Sequence, residues 1–144
     1  MPASKTLTLL CLIFSLLNAE GKELEPIRSF RDLEWSNRVI LILDSKNAEA
    51  DIQKLTEAKQ AIDERDLIWI LINERSVSSN YKQGIDPSFT KLAKRRYEKE
   101  AKGVFLIGKD GGTKSKSTQL DLETIFALID TMPMRIQEME ADHQ

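Results

Sequence analysis

The 144-residue sequence contains a single cysteine and a single histidine. Cys11 lies in an apolar run near the N-terminus, and His143 lies in a C-terminal tail that we expect to fray. Thiolates carry out disulfide exchange, and cysteine and histidine are the usual ligands of zinc. The sequence therefore argues against thiol redox catalysis, a histidine-based catalytic triad and a Cys/His metal site. It predicts no cofactor.

The sequence also has no excess of basic residues. It has 21 Lys and Arg against 23 Asp and Glu, a net charge of −2. Nucleic-acid binding depends on clustered cations that neutralise phosphates, so we expect no nucleic-acid partner. The carboxylates match no calcium loop of the D-x-D-x-D-G kind, which gives no reason to expect a metal site.

Long apolar runs are scarce outside the N-terminus. The run Leu7–Leu17 follows Lys5 and precedes the small residues Ala19 and Gly21. This order is typical of a secretory signal peptide, and the run is too short to span about 30 Å of hydrocarbon. An uncleaved anchor or a buried first strand is the alternative.

The leader sets the expected domain organisation and location. We predict a signal peptide over residues 1–19, one domain over residues 20–140 and a frayed tail over residues 141–144. The protein should be secreted or periplasmic, depending on the cell type. It should have no transmembrane segment after cleavage.

The first half of the domain predicts a strand, a helix and a second strand. Val39–Leu43 and Leu67–Ile72 are uninterrupted apolar runs, typical of strands that are buried on both faces. Apolar residues at helical spacing over Glu49–Asp63 predict an amphipathic helix between them. Such a βαβ unit is parallel and right-handed in nearly all cases. We expect Asn73–Ile85 to be a long surface loop, and the spacing before Asn37 leaves that segment undecided.

The second half predicts a helix, a hairpin and a last helix. The second helix begins at Asp86–Pro87, and its basic face over Lys91–Lys99 is either a solvated surface or a contact for an acidic partner. Gly103–Ile107 followed by Asp110–Gly112 predicts the hairpin, because glycine reaches positive φ without steric cost. Pro133 should end or kink the last helix. The expected buried residues of the two helices are Phe89, Leu92, Ala93 and Tyr97, then Leu122, Ile125, Phe126 and Ile129.

The element order β-α-β-α-β-β-α predicts an α/β, thioredoxin-like fold with a central mixed sheet and a C-terminal hairpin plus helix. A flavodoxin-like sheet is the alternative, and an antiparallel final hairpin would exclude it. A redox thioredoxin has a Cys-x-x-Cys pair after its first strand, where this sequence has Asp44-Ser45-Lys46-Asn47. Lys102-Gly103 stands where a thioredoxin has its cis-proline. Thiol oxidoreductase and peroxidase activity are therefore not expected.

Four segments of the sequence resemble those of a known family. They are Asn37–Leu41, Glu64–Leu67, Leu106–Lys114 and Ile129–Arg135, the last two being specific. They are similar to the domain of unknown function 4174, also called the DUDES domain, of secreted bacterial proteins and vertebrate matrix and sushi-repeat proteins. The resemblance covers roughly residues 33–140. It implies a thioredoxin- or peroxiredoxin-like fold without an established activity.

Polar residues near the strand ends and the last helix are the candidate site. Glycine turns can bind anions through successive backbone N–H groups, which favours an anionic ligand near the hairpin. Met132 and Met134 either pack at the helix end or, if they are exposed, favour a protein partner. The alternatives are a simple Asp-Gly turn and an Asp-Arg pair that fixes a helix end. We predict a protein that acts by binding, with a cysteine-independent enzyme as the competing class. The candidate residues are Asp44, Lys109, Asp110, Gly111, Gly112, Lys114, Asp130 and Arg135.

Overall fold

A five-stranded mixed sheet forms the centre of the molecule. The computed structural model describes residues 25–100 and 102–143, so the expected signal peptide lies outside the described residues. The strand order is β3-β2-β1-β4-β5, in which β1 and β2 are parallel and the other neighbours are antiparallel. The strands are β1 (Arg38–Leu43), β2 (Leu67–Ile72), β3 (Val77–Ser79), β4 (Gly103–Ile107) and β5 (Thr113–Ser117).

Five helices in the described residues accompany the sheet. They are α1 (Ala48–Glu57), α2 (Lys59–Asp63), α3 (Pro87–Arg96), α4 (Leu122–Asp130) and α5 (Pro133–Ala141). The mixed α/β architecture is confirmed, and it is compatible with a thioredoxin-like fold. Because β4 and β5 pair antiparallel, the flavodoxin-like alternative is wrong.

The sheet is buried on both faces, which explains the uninterrupted apolar sequence of its central strands. Successive side chains of a strand point to opposite faces. In β1, Val39 and Leu41 belong to the core that contains Phe89 of α3, whereas Ile40 belongs to the core that contains Leu55 of α1. The second core also includes Ile125 and Ile129 of α4. The chain therefore forms three layers, with α3 on one face and α1, α2 and α4 on the other.

The predicted single helix over Glu49–Asp63 is wrong in one respect, since it is divided at Ala58 into α1 and α2. In the last turn of α1, the hydroxyl of Thr56 donates a hydrogen bond of 2.8 Å to the carbonyl oxygen of Ile52. Such bonds compete with the helical ladder and bend helices. The amphipathic pattern continues across the break and therefore did not reveal it.

The predicted loop Asn73–Ile85 is also wrong in part, because it contains β3. This strand has three residues, lies at the edge of the sheet and carries two serines, so it has no apolar pattern to reveal it. Leu92, expected in the core, is 43% exposed. The segment left undecided before Asn37 contains a 3-10 helical turn over Phe30–Asp32.

The helix boundaries expected at Asp86–Pro87 and at Pro133 are confirmed. Asp86 caps α3 by accepting a hydrogen bond from the backbone N–H of Ser88, and Asp121 caps α4 in the same way from Thr124. Pro133 ends α4 and is the first residue of α5. Among residues 25–100 and 102–143, no helix has the length and apolar character needed to cross a membrane.

Gly103, at the start of β4, allows a close approach of two strands. Its φ is +147°, and a Cβ atom there would lie 2.9 Å from the carbonyl oxygen of Ser117 on β5. We expect Gly103→Ala to reduce the free energy of unfolding by roughly 3 kcal/mol, from backbone strain and the clash together. Urea unfolding monitored by circular dichroism measures the change.

Gly84 provides the matched control for this substitution. It also has a positive φ, +81°, but no atom would lie within 4 Å of an added Cβ. Gly84→Ala should therefore cost about 1 kcal/mol, from backbone strain alone. Equal losses in the two variants would show that the contact with Ser117 is unimportant.

Candidate functional site

Polar residues lie at both ends of the sheet, and the two ends differ in how these residues are paired. We call the end where β1 and β2 begin the amino end, and the end where they finish the carboxyl end. The antiparallel strand β4 ends at the amino end, which places Lys109 there beside Arg38 and Asp66. Helix α5 adds further charged side chains. We name these residues the charge cluster: Arg38, Arg65, Asp66, Lys109, Asp130, Arg135 and Glu138.

Glu138 holds two buried cations of the charge cluster. Arg38 is 1% exposed and donates two hydrogen bonds to the Glu138 carboxylate, at 3.0 and 3.2 Å. Lys109 is 8% exposed, and its Nζ donates to Glu138 at 2.7 Å and to Asp66 at 2.8 Å. Arg38 also donates to the backbone carbonyl of Arg65 at 3.0 Å. These bonds connect β1, the end of β4 and α5 through one carboxylate.

Asp130 pairs with the two other arginines of the charge cluster. Arg65 donates to both of its carboxylate oxygens, at 3.0 and 2.7 Å, and lies over the ring of Phe126. Arg135 is 7% exposed and lies 3.4 Å from the same carboxylate. Its guanidinium also donates to the carbonyl oxygen of Glu64 at 2.8 Å. This part of the charge cluster fixes α4 and the start of α5 against the residues that precede β2.

The pairing favours the ionised forms of Glu138, Asp130 and Lys109. Burial raises the pKa of Glu138, but the hydrogen bonds from Arg38 and Lys109 outweigh it and hold the pKa below 4.5. Hydrogen bonding from Arg65 holds the pKa of Asp130 below 3.8. Burial lowers the pKa of Lys109, but its bonds to Asp66 and Glu138 outweigh that effect and raise the pKa above 10.5. A ligand at this end would have to replace these bonds.

The hairpin turn next to the charge cluster also satisfies its own polar groups. Asp110 accepts a hydrogen bond from the backbone N–H of Gly112 at 3.0 Å and one from Lys114 Nζ at 2.7 Å, which lower its pKa. Gly111 has a φ of +80°, and its carbonyl oxygen accepts a bond from Arg96 at 2.7 Å. The turn therefore has the Asp-Gly conformation that the sequence predicts, with Lys114 paired inside it.

The carboxyl end of the sheet has a cavity of about 480 Å³. It lies between the residues that follow β1, the first turns of α1, the start of β4 and the residues that follow β5. Asp44 begins the first of these segments in a left-handed conformation, with a φ of +49°. Polar residues that line the cavity are Asp44, Ser45, Lys46, Asn47, Asp51, Lys54, Lys102, Thr118 and Gln119.

A buried carboxylate lies in the wall of this cavity. Asp51 of α1 is 8% exposed, and it accepts a hydrogen bond of 2.6 Å from the hydroxyl of Ser45. Ser45 in turn accepts one of 3.1 Å from the backbone N–H of Asn47. The loop that follows β1 is thereby fixed at the mouth of the cavity.

A second hollow adjoins the cavity at the start of α1. It is lined by residues 45–50 and by Asn73, which follows β2. The side-chain oxygen of Asn73 is buried and has no hydrogen-bond partner in the described part of the chain. Such unpaired buried polar atoms are rare, because each costs free energy comparable to a lost hydrogen bond.

The candidate residues from the sequence divide between the two ends. Lys109, Asp130 and Arg135 lie together in the charge cluster, and the turn of residues 110–114 adjoins it. Asp44 lies at the carboxyl end, which is the opposite end of the sheet. A single site that contains all eight residues is therefore not formed, and ligand binding by any of them stays a prediction.

Several residues that build these two regions were not among the candidates. Arg38 is the first residue of β1, and Arg65 and Asp66 directly precede β2. Because parallel strands begin at the same edge of a sheet, these charges could have been placed together from the sequence. No comparable signal marks Glu138 or Asp51, whose roles depend on how helices pack.

Comparison with known families assigns the chain to one of them. The sequence profile of the domain of unknown function (DUF4174) matches residues 29–138, so the chain belongs to this family. The matched range begins before β1 and ends at Glu138, and it therefore includes the complete charge cluster and the cavity. Neither the curated proteins nor the solved structures contain a match to the chain.

The charge cluster predicts a large effect of removing its shared carboxylate. Glu138→Ala leaves Arg38 and Lys109 buried without their common partner, and breaking such pairs typically costs 3–5 kcal/mol. Because Glu138 is itself partly exposed, we expect a loss of about 3 kcal/mol in the free energy of unfolding. Lys114→Ala, which removes an exposed pair with Asp110, should cost at most about 1 kcal/mol. Chemical denaturation measures both variants, and equal losses in the free energy of unfolding would contradict this prediction.

The charge cluster also predicts acid sensitivity. The pKa values of Glu138 and Asp130 are lower in the folded chain than their ordinary values of 4.5 and 3.8. Their stabilisation is therefore complete above those values and is lost as the pH falls through the folded pKa values. We expect the free energy of unfolding to decrease below about pH 4.5, and to do so less steeply in Glu138→Ala. Urea titrations between about pH 7 and pH 3 measure this, and identical slopes would refute the assignment.

Proposed function

We propose that the chain is a secreted or periplasmic binding domain without thiol chemistry, and that its ligand site is the cavity at the carboxyl end of the sheet. The cavity is the observation that carries the proposal. Its volume, about 480 Å³, lies in the range of small-molecule sites. Ligands of open α/β sheets bind beyond the carboxyl ends of the strands, where this cavity lies.

Whether the polar groups already have partners inside the domain favours the cavity, rather than the amino end, as the ligand site. In the charge cluster, the cations are bonded to carboxylates and backbone carbonyls inside the domain. At the cavity, none of the ion pairs among the described residues engages Asp44, and in the adjoining hollow the side-chain oxygen of Asn73 has no hydrogen-bond partner among them. Groups without internal partners are the ones that can bind a ligand at little cost.

The expected leader supports the location. A signal peptide over residues 1–19 would carry Cys11 away, and Asp44–Asn47 stands where thiol chemistry would require cysteines. The exported chain would then have no residue able to perform disulfide exchange. A binding role is compatible with an exported chain that lacks cysteine.

An enzyme without cysteine is the second candidate, and the Ser45–Asp51 pair is the observation in its favour. A hydroxyl bonded to a buried carboxylate at 2.6 Å, at the mouth of a cavity, is an arrangement that can activate a nucleophile. The pair also serves to fix the loop after β1. Ser45→Ala distinguishes the two: lost turnover of a bound ligand indicates an enzyme, whereas binding without chemical change indicates a binding domain.

Filling the cavity tests the proposal. Ala50 of α1 lines the cavity, and Ala50→Phe places a large side chain in it. The protein is purified from the culture medium or periplasm, incubated with the small-molecule extract of that compartment and examined by native mass spectrometry. We expect the unchanged protein to retain a small molecule and Ala50→Phe to lose at least nine-tenths of it, an affinity loss of about 1.4 kcal/mol or more.

A matched variant controls for the added bulk. Ala141 is exposed at the end of α5, so Ala141→Phe makes the same change away from the cavity. It should bind as the unchanged protein does, and circular dichroism verifies that both variants are folded. Retention of the ligand by a folded Ala50→Phe variant, or failure of the unchanged protein to bind any small molecule, would overturn the proposal.

A further inference from the structure

Neither burial nor backbone preference explains the tryptophan at position 35. Its indole ring is 67% exposed, the largest fraction for any large apolar residue in the described part of the chain. Its φ is +65°, in the left-handed region that is strained for a bulky side chain. The other two non-glycine residues described with positive φ are Asp44 and Asp66, and aspartate tolerates that region. Strain without burial points to a role for Trp35 outside the domain.

The main chain holds Trp35 in this conformation at the amino end of the sheet. Its N–H donates a hydrogen bond of 2.7 Å to the carbonyl oxygen of Lys109, two residues after β4. The N–H of Asn37 closes the same turn by donating to the carbonyl oxygen of Leu33 at 2.8 Å, and Leu33 is buried. A fixed, exposed aromatic ring offers a large contact area at low cost in conformational entropy, and tryptophan is enriched at interaction hot spots. The ring therefore has the properties of a preformed anchor for a partner.

The groups near Trp35 present carboxylates to solvent rather than cations. Glu34 lies half-buried against Gly111, where its Oε1 would be 2.8 Å from an added Cβ atom. The Glu34 carboxylate has no hydrogen-bond or salt-bridge partner among the described residues. In every ion pair within the charge cluster the carboxylate side chain is more exposed than the cation, as for Asp66 at 50% and Lys109 at 8%. This surface is therefore complementary to a positively charged partner.

The exposed apolar residues of α5 favour a protein as that partner. Met134 and Ile136 are exposed on the same helix whose Glu138 bonds to Lys109. A lysine or arginine side chain can lie over a tryptophan ring, and its apolar stem packs on neighbouring apolar surface. Methionine adapts to irregular contacts of this kind. A free amine or a sugar would use the ring and the carboxylates but not the apolar residues of α5.

We propose that Trp35 and Glu34 form the centre of a docking surface for a basic segment of a partner protein. A lysine or arginine of that segment lies over the indole ring and bonds to the Glu34 carboxylate, and its neighbours contact the exposed side chains of α5. The bonds within the charge cluster stay in place, because the partner meets the outward-facing carboxylate oxygens. This surface is at the end of the sheet opposite to the cavity, so the inference goes beyond the proposed function and does not depend on it.

A basic peptide tests the inference. The probe is a dye-labelled peptide of alternating arginine and alanine residues, and its counterpart has glutamate in place of arginine. Binding to the purified protein is measured by fluorescence anisotropy at about 0.15 M salt, where charges more than about 8 Å apart are largely screened. We expect saturable binding of the arginine peptide and no binding of the glutamate peptide. Any other combination of results would overturn the inference.

The two tryptophans of the sequence report where the peptide binds. Trp69 is buried in β2, so Trp69→Phe leaves Trp35 as the only source of tryptophan emission. We expect the arginine peptide to change this emission to saturation, with the dissociation constant that anisotropy gives. The unchanged protein should show the same change, because Trp69 is shielded from the peptide. Emission that stays constant while the peptide binds would place the peptide elsewhere and overturn the inference.

Substitutions separate docking from a structural role. Trp35→Gly should weaken peptide binding about tenfold or more, while the urea midpoint of unfolding stays the same or rises, because strain is relieved and little burial is lost. Glu34→Gln should weaken binding about threefold or more. The control is Glu74→Gln, which removes an exposed carboxylate after β2 at the opposite end of the sheet and should leave binding unchanged.

Three results with these variants would each overturn the inference. A lower urea midpoint in Trp35→Gly would show that the tryptophan serves the fold. Undiminished peptide binding by Trp35→Gly would show that the ring is not the anchor. Equal weakening by Glu34→Gln and Glu74→Gln would show general electrostatic attraction instead of a local contact.

Discussion

The bidentate contact between Arg38 and Glu138 is the interaction on which the rest of the structure depends. A guanidinium at the start of the central strand is almost completely buried, and a buried cation without a partner is strongly unfavourable. Its carboxylate partner is supplied 100 residues later by α5. The central strand therefore requires the C-terminal helix to be in place, and the same carboxylate holds Lys109 at the end of β4.

This requirement makes the two ends of the sheet different. The amino end is closed by hydrogen bonds between charged groups, which fix α4, α5 and the hairpin relative to the parallel strands. The carboxyl end has no such closure, so polar groups around α1 keep their hydrogen-bonding capacity beside a cavity. In physical terms the amino end supplies the stable frame, and the carboxyl end is where a ligand can bind without disrupting it.

The sequence predicted the elements that have strong local signals. The apolar runs of β1 and β2, the Asp-Gly turn and the helix start at Asp86 are determined by residues close together in the chain, and the structure confirms them. The edge strand β3 and the break at Ala58 have weak local signals and were missed. An edge strand of three residues buries little, and a helix break need not disturb an apolar stripe.

The candidate site was less predictable than the fold, because its pairings are long-range. Lys109, Asp130 and Arg135 were selected for their charge, but their partners depend on which helices pack at which end of the sheet. Arg65 and Asp130 are 65 residues apart, and no spacing rule connects them. Asp51 is a charged residue within an amphipathic helix, and its burial against Ser45 depends on the loop after β1.

The central claim is that the carboxyl end of the sheet binds the ligand and that the amino end stabilises the fold. NMR mapping of the labelled protein with the small-molecule extract of its own compartment tests this most directly. The account predicts that the shifted amides belong to the loop after β1, the first turns of α1, Asn73 and the segment that enters β4. Shifts confined to residues 109–114 and 130–138, with these segments unchanged, would contradict it.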